Sequence, residues 1–376
     1  MALRHAIEQL LGKMAAAIST VRTNRQAAPP QEAGPPTSAA MLRLTRLSAA
    51  FAPMMTSQLP STLNTPAMMS IPERQFLFGL ASRYYAGEGI IVDAGIFLGA
   101  STRCFGEGVR ANPRYEEITR RLPQPVVSFE KAVVTRTMPD FFKSHGLAFS
   151  AEPGESFESE LRRNVEPVKD LVDLRIGDIM DTVEVGGPVE ILFLDILKAL
   201  PVSVHAFRLF YPKLIPGRSI VVQQDYFYEG LPWIKTHQET LAEYFDFVGE
   251  IGASAIFLCT RQIPQAAIDR LGKMAPAEQL RLASIAMQRS ADPSRRFLMA
   301  LSKMRLIRQL HGPVAARAYL DFVKGEFPEQ VAPSQHERLS KPLREAEEIC
   351  AEEPGKSRAD GRRPTDDGQS SPLFRL

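Results

Sequence analysis

Val189-Glu190-Ile191-Leu192-Phe193-Leu194-Asp195 decides the fold. This short, nearly continuous apolar run stops at an acid, the pattern of a strand buried on both faces of a sheet. Comparable runs flank it. Residues 89–94 end in Asp93 and a glycine, 126–129 end at Glu130, 171–176 end at Gly177-Asp178, and 219–222 run into Gln223-Gln224-Asp225. Helical spacing fills the intervals at 101–110, 137–145, 156–164 and 202–214, after a first helix over 71–87 with Pro72 in its opening turn. Strands alternating with helices of this length imply a parallel sheet with right-handed crossovers. A further helix over 233–244 precedes two strand-like runs, 247–251 and 255–259, and the three residues between them suit a hairpin rather than a crossover. The expected fold is α/β: a doubly wound, mostly parallel sheet ending in an antiparallel hairpin, over residues 70–262.

The remaining chain is organised around that domain. Residues 1–25 carry four basic residues, one acid and apolar residues at helical spacing, which predicts a loosely attached amphipathic helix, with a transit peptide or a membrane-surface helix as the alternatives, and 26–40 form a Pro-rich linker. The lead-in to residue 69 has no clear period. Residues 263–330 form a helical appendage, packed on the core or used for self-association as a homo-oligomer. Residues 331–376, charged and poor in aromatics, are expected to be disordered. A net charge of +2 in 376 residues provides no basic field for nucleic acid, and no stretch is apolar enough to cross a membrane. Cys104, Cys259 and Cys350 are far apart and form neither a disulfide framework nor a zinc motif, so a reducing, cytoplasmic setting is expected.

The segment most suited to chemistry is Val92-Asp93-Ala94-Gly95-Ile96-Phe97-Leu98-Gly99-Ala100-Ser101-Thr102. An acid at a strand end, two glycines four apart and small hydroxyl residues opening a helix suit a polar ligand, although such a turn can also serve only to pack strand against helix. Ligands of open α/β sheets bind beyond the carboxyl ends of the strands. Asp93, Glu130, Asp178, Asp195 and Asp225 all fall at or just after such ends.

The succession VDAGIFLGAST (92–102), VVSFEK (126–131), LRIGDI (174–179), VEILFLDI (189–196), LIPGRSIVVQQDY (214–226) and a closing hairpin resembles the class I S-adenosylmethionine-dependent methyltransferases. Within them it is similar to the macrocin-type sugar O-methyltransferases. The resemblance covers roughly half of the chain. It implies a Rossmann-like methyltransferase fold, S-adenosyl-L-methionine as cofactor, and a small-molecule or glycan acceptor. It places Asp93, Gly95, Gly99 and Ser101 at the methionine part of the cofactor, Glu130 at the ribose, Gly177 and Asp178 by the adenine, and Asp195 facing the sulfonium and substrate. Loss of cofactor binding without unfolding is the expectation for Gly99→Val.

The departures concern metal. In that family the acids after the fourth and fifth strands hold a divalent ion. Here the fourth strand is followed by Asp195-Ile196-Leu197-Lys198, and the fifth ends in Gln224-Asp225-Tyr226. With only Asp195 and Asp225 as anionic ligands, Mg²⁺ is not expected, and Gln224→Asp should restore it. Arg218 stands where the family has glycine. His237 is a candidate general base beside Asp195, against a solvent-facing alternative. Lys198 is either a substrate contact or a solvated loop lysine. Tyr226, Phe227, Tyr228 and Trp233 line an acceptor pocket or pack the core. The expected activity is methyl transfer to a sugar, glycoside or polysaccharide hydroxyl. The alternatives are a repurposed, non-catalytic member of the fold and a nucleotide-binding oxidoreductase, the latter weakened by the missing G-x-G-x-x-G.

Overall fold

The computed structural model describes residues 59–60, 63–136, 138–147, 152–332 and 337–351. The helix and linker expected within 1–40, and the end of the chain from 352, lie outside the described residues.

Seven strands form one sheet: β1 (Ile90–Ala94), β2 (Val126–Glu130), β3 (Val172–Ile176), β4 (Val189–Leu194), β5 (Ile220–Gln223), β6 (Phe245–Ile251) and β7 (Ser254–Cys259). Their order is β3-β2-β1-β4-β5-β7-β6. The first five strands are mutually parallel, and β7 runs antiparallel to both β5 and β6. The expected hairpin is therefore present, folded so that its second strand joins the sheet. A dinucleotide-binding sheet has the order 3-2-1-4-5-6, without a strand inserted between the fifth and sixth. The order here departs from that one by β7, which stands between β5 and β6.

Helices cover both faces. They are α1 (Ile71–Gly79), α2 (Ala100–Arg110), α3 (Tyr115–Arg121), α4 (Met138–Ser144), α5 (Glu158–Val165), α6 (Leu200–Phe210) and α7 (Pro232–Thr240). The alternation within β4 decides which core each residue joins. Ile191 and Phe193 pack with Phe76, Leu77, Phe105, Val109 and Leu161 of α1, α2 and α5. Leu192 and Leu194 pack with Phe207, Phe210 and Ile234 of α6 and α7. Each such side chain, fully buried, contributes roughly 1.5–3 kcal/mol. The first helix is shorter than its spacing predicts: α1 gives way to a π-helical turn over Leu80–Tyr84.

Glu190, the one charged residue of β4, is buried and accepts backbone N–H bonds from Ala86 at 2.7 Å and Glu88 at 2.6 Å. Arg218 pairs with it and lies over the Tyr84 ring. The arginine in place of glycine thus compensates a buried carboxylate at the amino edge of the sheet.

The appendage packs on the core. It comprises α8 (Gln265–Ile268), α9 (Pro276–Met287), α10 (Pro293–Glu326, bent at Gly312-Pro313) and α11 (Glu337–Ala351). Arg289 pairs with Glu239 of α7 and Arg295 with Glu250 of β6. Residues 337–351, expected to be disordered, form a helix. Its Leu339, Leu343, Ala346 and Cys350 recur at helical spacing and pack against Leu301, Met304 and Ile307. Composition alone hid that apolar stripe among charged neighbours.

Candidate functional site

Strand order reverses between β1 and β4, and the loops leaving their carboxyl ends meet there. Gly95 has φ +87°, and a Cβ on it would stand 2.7 Å from the backbone carbonyl carbon of Asp195. The glycine is therefore needed for the two loops to touch. Gly99, at φ +88°, precedes α2, and a Cβ there would meet Leu161 of α5 at 3.1 Å. Gly99 faces a helix rather than a cleft, so Gly99→Val strains the fold. The expected clean loss of cofactor binding in that variant does not follow from this geometry.

Among the described residues three non-glycine residues adopt positive φ: Phe97 (49°), Ala132 (55°) and Asp225 (60°). All lie just beyond strand ends on the carboxyl edge. Each costs about 1–2 kcal/mol, and such strain gathers at functional sites. Glu130 holds the first two. Its carboxylate accepts the Phe97 amide at 2.7 Å and the Ala132 amide at 3.1 Å. Burial pushes the Glu130 carboxyl up, and these amides pull it back. The Phe97 ring is set among Phe141, Phe142 and Phe157.

Asp93 lies fully buried in β1. One carboxyl oxygen accepts the Thr102 hydroxyl at 2.7 Å, and the other has no hydrogen-bond partner among the described residues. Burial pushes this carboxyl up to about 7, against the hydroxyls of Thr102 and Ser101. Gly177 donates its amide to the Glu130 carbonyl at 2.9 Å. Asp178 caps the following turn through Met180 and pairs with Lys131 at 3.0 Å.

Asp195 and Asp225 face each other across Lys198. The ammonium is 2.5 Å from Asp195 Oδ1 and also bonds Asp225 Oδ2. The Lys198 loop is held by the Trp233 indole N–H, which donates to the Leu197 carbonyl at 2.8 Å. Burial raises the Asp195 carboxyl, and the Lys198 charge opposes that shift. Lys198, its side chain 38% exposed, is thus ion-paired rather than free, a pairing that its position three residues after Asp195 did not reveal. Beneath it Lys235 is buried, donates to the Leu231 carbonyl at 3.0 Å, and is pushed down to about 7 by burial.

Several candidates fall elsewhere. His237 is only 1% exposed. Its Nδ1 shares a hydrogen bond with Ser203 at 2.9 Å, its ring packs edge-on to Phe207, and burial pushes it down to about 3. It is a neutral core residue between α6 and α7, neither a base at the cleft nor solvent-facing. Tyr226 and Phe227 are core, whereas Tyr228 is 42% exposed. The Gln224 amide is buried against the Ser254 hydroxyl at 2.5 Å, and that hydroxyl lies 3.0 Å from Glu73. A carboxylate at Gln224 would therefore sit near another acid, so Gln224→Asp is not a simple restoration of a metal ligand.

A small, open cleft of about 50 Å³ lies above the glycine loop. Of the sequence-predicted residues it brings together Gly95, Ser101 and Asp195. Asp93, Gly99, Glu130, Gly177, Asp178, Asp225 and His237 do not line it. Its outer wall is Pro66, Ala67, Met68 and Met69, the lead-in to α1. No motif marks those four; only their place just before α1 hints at it.

The sheet order defines a Rossmann-like, doubly wound and mostly parallel α/β fold ending in an antiparallel hairpin, with a C-terminal helical appendage. No protein-family model matches the chain, and no curated protein matches it in sequence. Among solved structures it is similar to apo CalS11, a TDP-rhamnose 3'-O-methyltransferase of calicheamicin biosynthesis, at 15% identity, over 58% of this chain and 93% of that one, with a TM-score of 0.36. A second CalS11 structure gives 14% identity, 62% and 98% coverage, and a TM-score of 0.37. Coclaurine N-methyltransferase with N-methylheliamine and SAH gives 10% identity, 92% and 88% coverage, and a TM-score of 0.24.

Among the described residues no group of three or more His, Cys, Asp or Glu is placed to hold a metal, and no helix is long and apolar enough to cross a membrane. A divalent ion does not fit between Asp195 and Asp225, because the Lys198 ammonium bonds both carboxylates.

Proposed function

We propose that this chain is an S-adenosylmethionine-dependent O-methyltransferase whose acceptor is a hydroxyl of a sugar, glycoside or polysaccharide precursor. The observation that carries the reading is the cleft at the β1–β4 switch point, where Gly95, Ser101 and Asp195 meet. Its residues suit the cofactor. A buried Asp93 oxygen lacks a hydrogen-bond partner among the described residues, the Ser101 hydroxyl lies near that carboxyl, and the glycine loop presents backbone to the cleft. Gly95 and Ser101 would hold the methionine part, with Asp93 beneath them. Glu130, at the end of β2, would face the ribose, in competition with the backbone amides that its carboxylate already accepts.

When bound, S-adenosylmethionine supplies an electrophilic methyl group on a sulfonium. The residues of the chain then have two tasks. Asp195 accepts the acceptor hydroxyl's proton at a carboxylate oxygen, and Lys198 fixes the direction of that carboxylate. Positioning supplies much of the rate in such a reaction.

One observation favours a second reading, a repurposed binding protein. Glu130 is engaged by backbone amides, and the cleft does not extend to Gly177 or Asp178. The test is methyl transfer from methyl-labelled S-adenosylmethionine to a panel of free, nucleotide-linked and polymeric sugars. Labelled product that disappears in Asp195→Asn supports the enzyme. Cofactor binding without transfer to any acceptor supports the repurposed member.

A further inference from the structure

We propose that Lys198 is the resident cation of this site and stands where the sequence resemblance calls for a divalent metal. The inference concerns the same cleft as the proposed methyl transfer, but it rests on three observations of its own. First, the Lys198 ammonium bonds both carboxylates that would ligate the ion, Asp195 at 2.5 Å and Asp225 on the opposite loop. A metal bridging the same two groups would have to displace the lysine or lie against its positive charge. Second, the lysine is not loosely placed. The Trp233 indole fixes the Leu197 carbonyl next to it at 2.8 Å, and the Lys198 amide bonds the Ile196 carbonyl at 2.7 Å. Third, the oxygen that could serve as a further ligand is turned away, because the Gln224 amide bonds the Ser254 hydroxyl. Mg²⁺ and Mn²⁺ favour several oxygen ligands, and this site presents two that are already neutralised in part.

The replacement changes how an acceptor is gripped. A metal chelates two hydroxyls at once, whereas an ammonium offers point-charge donors without fixed angles. Lysine has three donors, and the described residues take two of them here. The third suits a single acceptor oxygen. A site of this kind orients one hydroxyl rather than a chelating pair.

Mn²⁺ titration of the full chain, followed by its electron paramagnetic resonance signal, tests the inference without cofactor or acceptor. Wild type is expected to show no saturable site that depends on Asp225. Lys198→Met removes the charge and leaves two facing carboxylates. It should bind Mn²⁺ at least about tenfold more tightly than wild type. Lys198→Met with Asp225→Asn should lose that gain. Saturable wild-type binding abolished by Asp225→Asn would overturn the inference, as would a folded Lys198→Met no tighter than wild type. If Lys198→Met does not fold, the wild-type and Asp225→Asn titrations still decide. Failure of the chain to bind S-adenosylhomocysteine would instead count against methyl transfer and leave the Mn²⁺ result standing.

Discussion

One carboxylate, that of Glu130, holds two of the three strained residues on the sheet's carboxyl edge. Glu130→Gln keeps the size but replaces one acceptor oxygen with a donor that faces an N–H. The variant is expected to lose about 1.5–3 kcal/mol of stability, read by urea denaturation. Its affinity for S-adenosylhomocysteine should fall as the Phe97 loop relaxes. Wild-type stability and affinity together would show that the clamp is dispensable. Asp93 gives a pH signature. It binds its proton more tightly in the folded chain, near pH 7, than in the unfolded chain, near pH 4. Its contribution is therefore complete below about pH 4 and is lost as pH rises through 7. Asp93→Asn should lose less stability between pH 4 and 7 than wild type does, and parallel profiles would contradict the buried, proton-holding role. At this scale the sequence was a partial guide. It put Asp195 and Asp225 on neighbouring strand ends, since parallel strands deliver their termini to one edge. It could not show that Lys198 turns inward to join them, because direction within a short loop has no periodicity to read. His237 was misjudged for a related reason: α7 is buried over most of its surface, so helical spacing does not single out a face.

The elements were more legible. Near-continuous apolar strands between helical repeats specify a parallel sheet, and the three-residue gap after residue 251 announced the reversal. The π-helical turn over Leu80–Tyr84 and the short α3 were not apparent, and α11 was masked by its charged face. The glycine loop was located correctly, but its glycines answer first to packing. Gly95→Ala places a Cβ 2.7 Å from the Asp195 backbone in a left-handed conformation. It should lower stability by roughly 1–3 kcal/mol and move the Asp195 loop. Thermal denaturation reads the first effect, and loss of methyl transfer reads the second. An unshifted midpoint would mean that the loops need not touch.

On the scale of the whole molecule, the cleft is built by segments distant in sequence. The lead-in at Pro66–Met69 forms its outer wall and the β1 and β4 loops its floor, while Lys198 ties the Asp195 loop to Asp225 after β5. The appendage braces the hairpin and α7 from behind through Arg295 and Arg289. Only the floor was legible beforehand. The wall depends on a segment without a pattern, and the tie between the Asp195 and Asp225 loops depends on one side chain's direction. Methyl transfer by this assembly requires that it take the cofactor. Calorimetric titration of S-adenosylhomocysteine into the full chain, with and without Mg²⁺, measures that directly. Saturable one-to-one binding, equal under both conditions and weakened in Glu130→Gln, is the predicted result. No heat of binding from a folded sample, or binding that appears only with Mg²⁺, would contradict it.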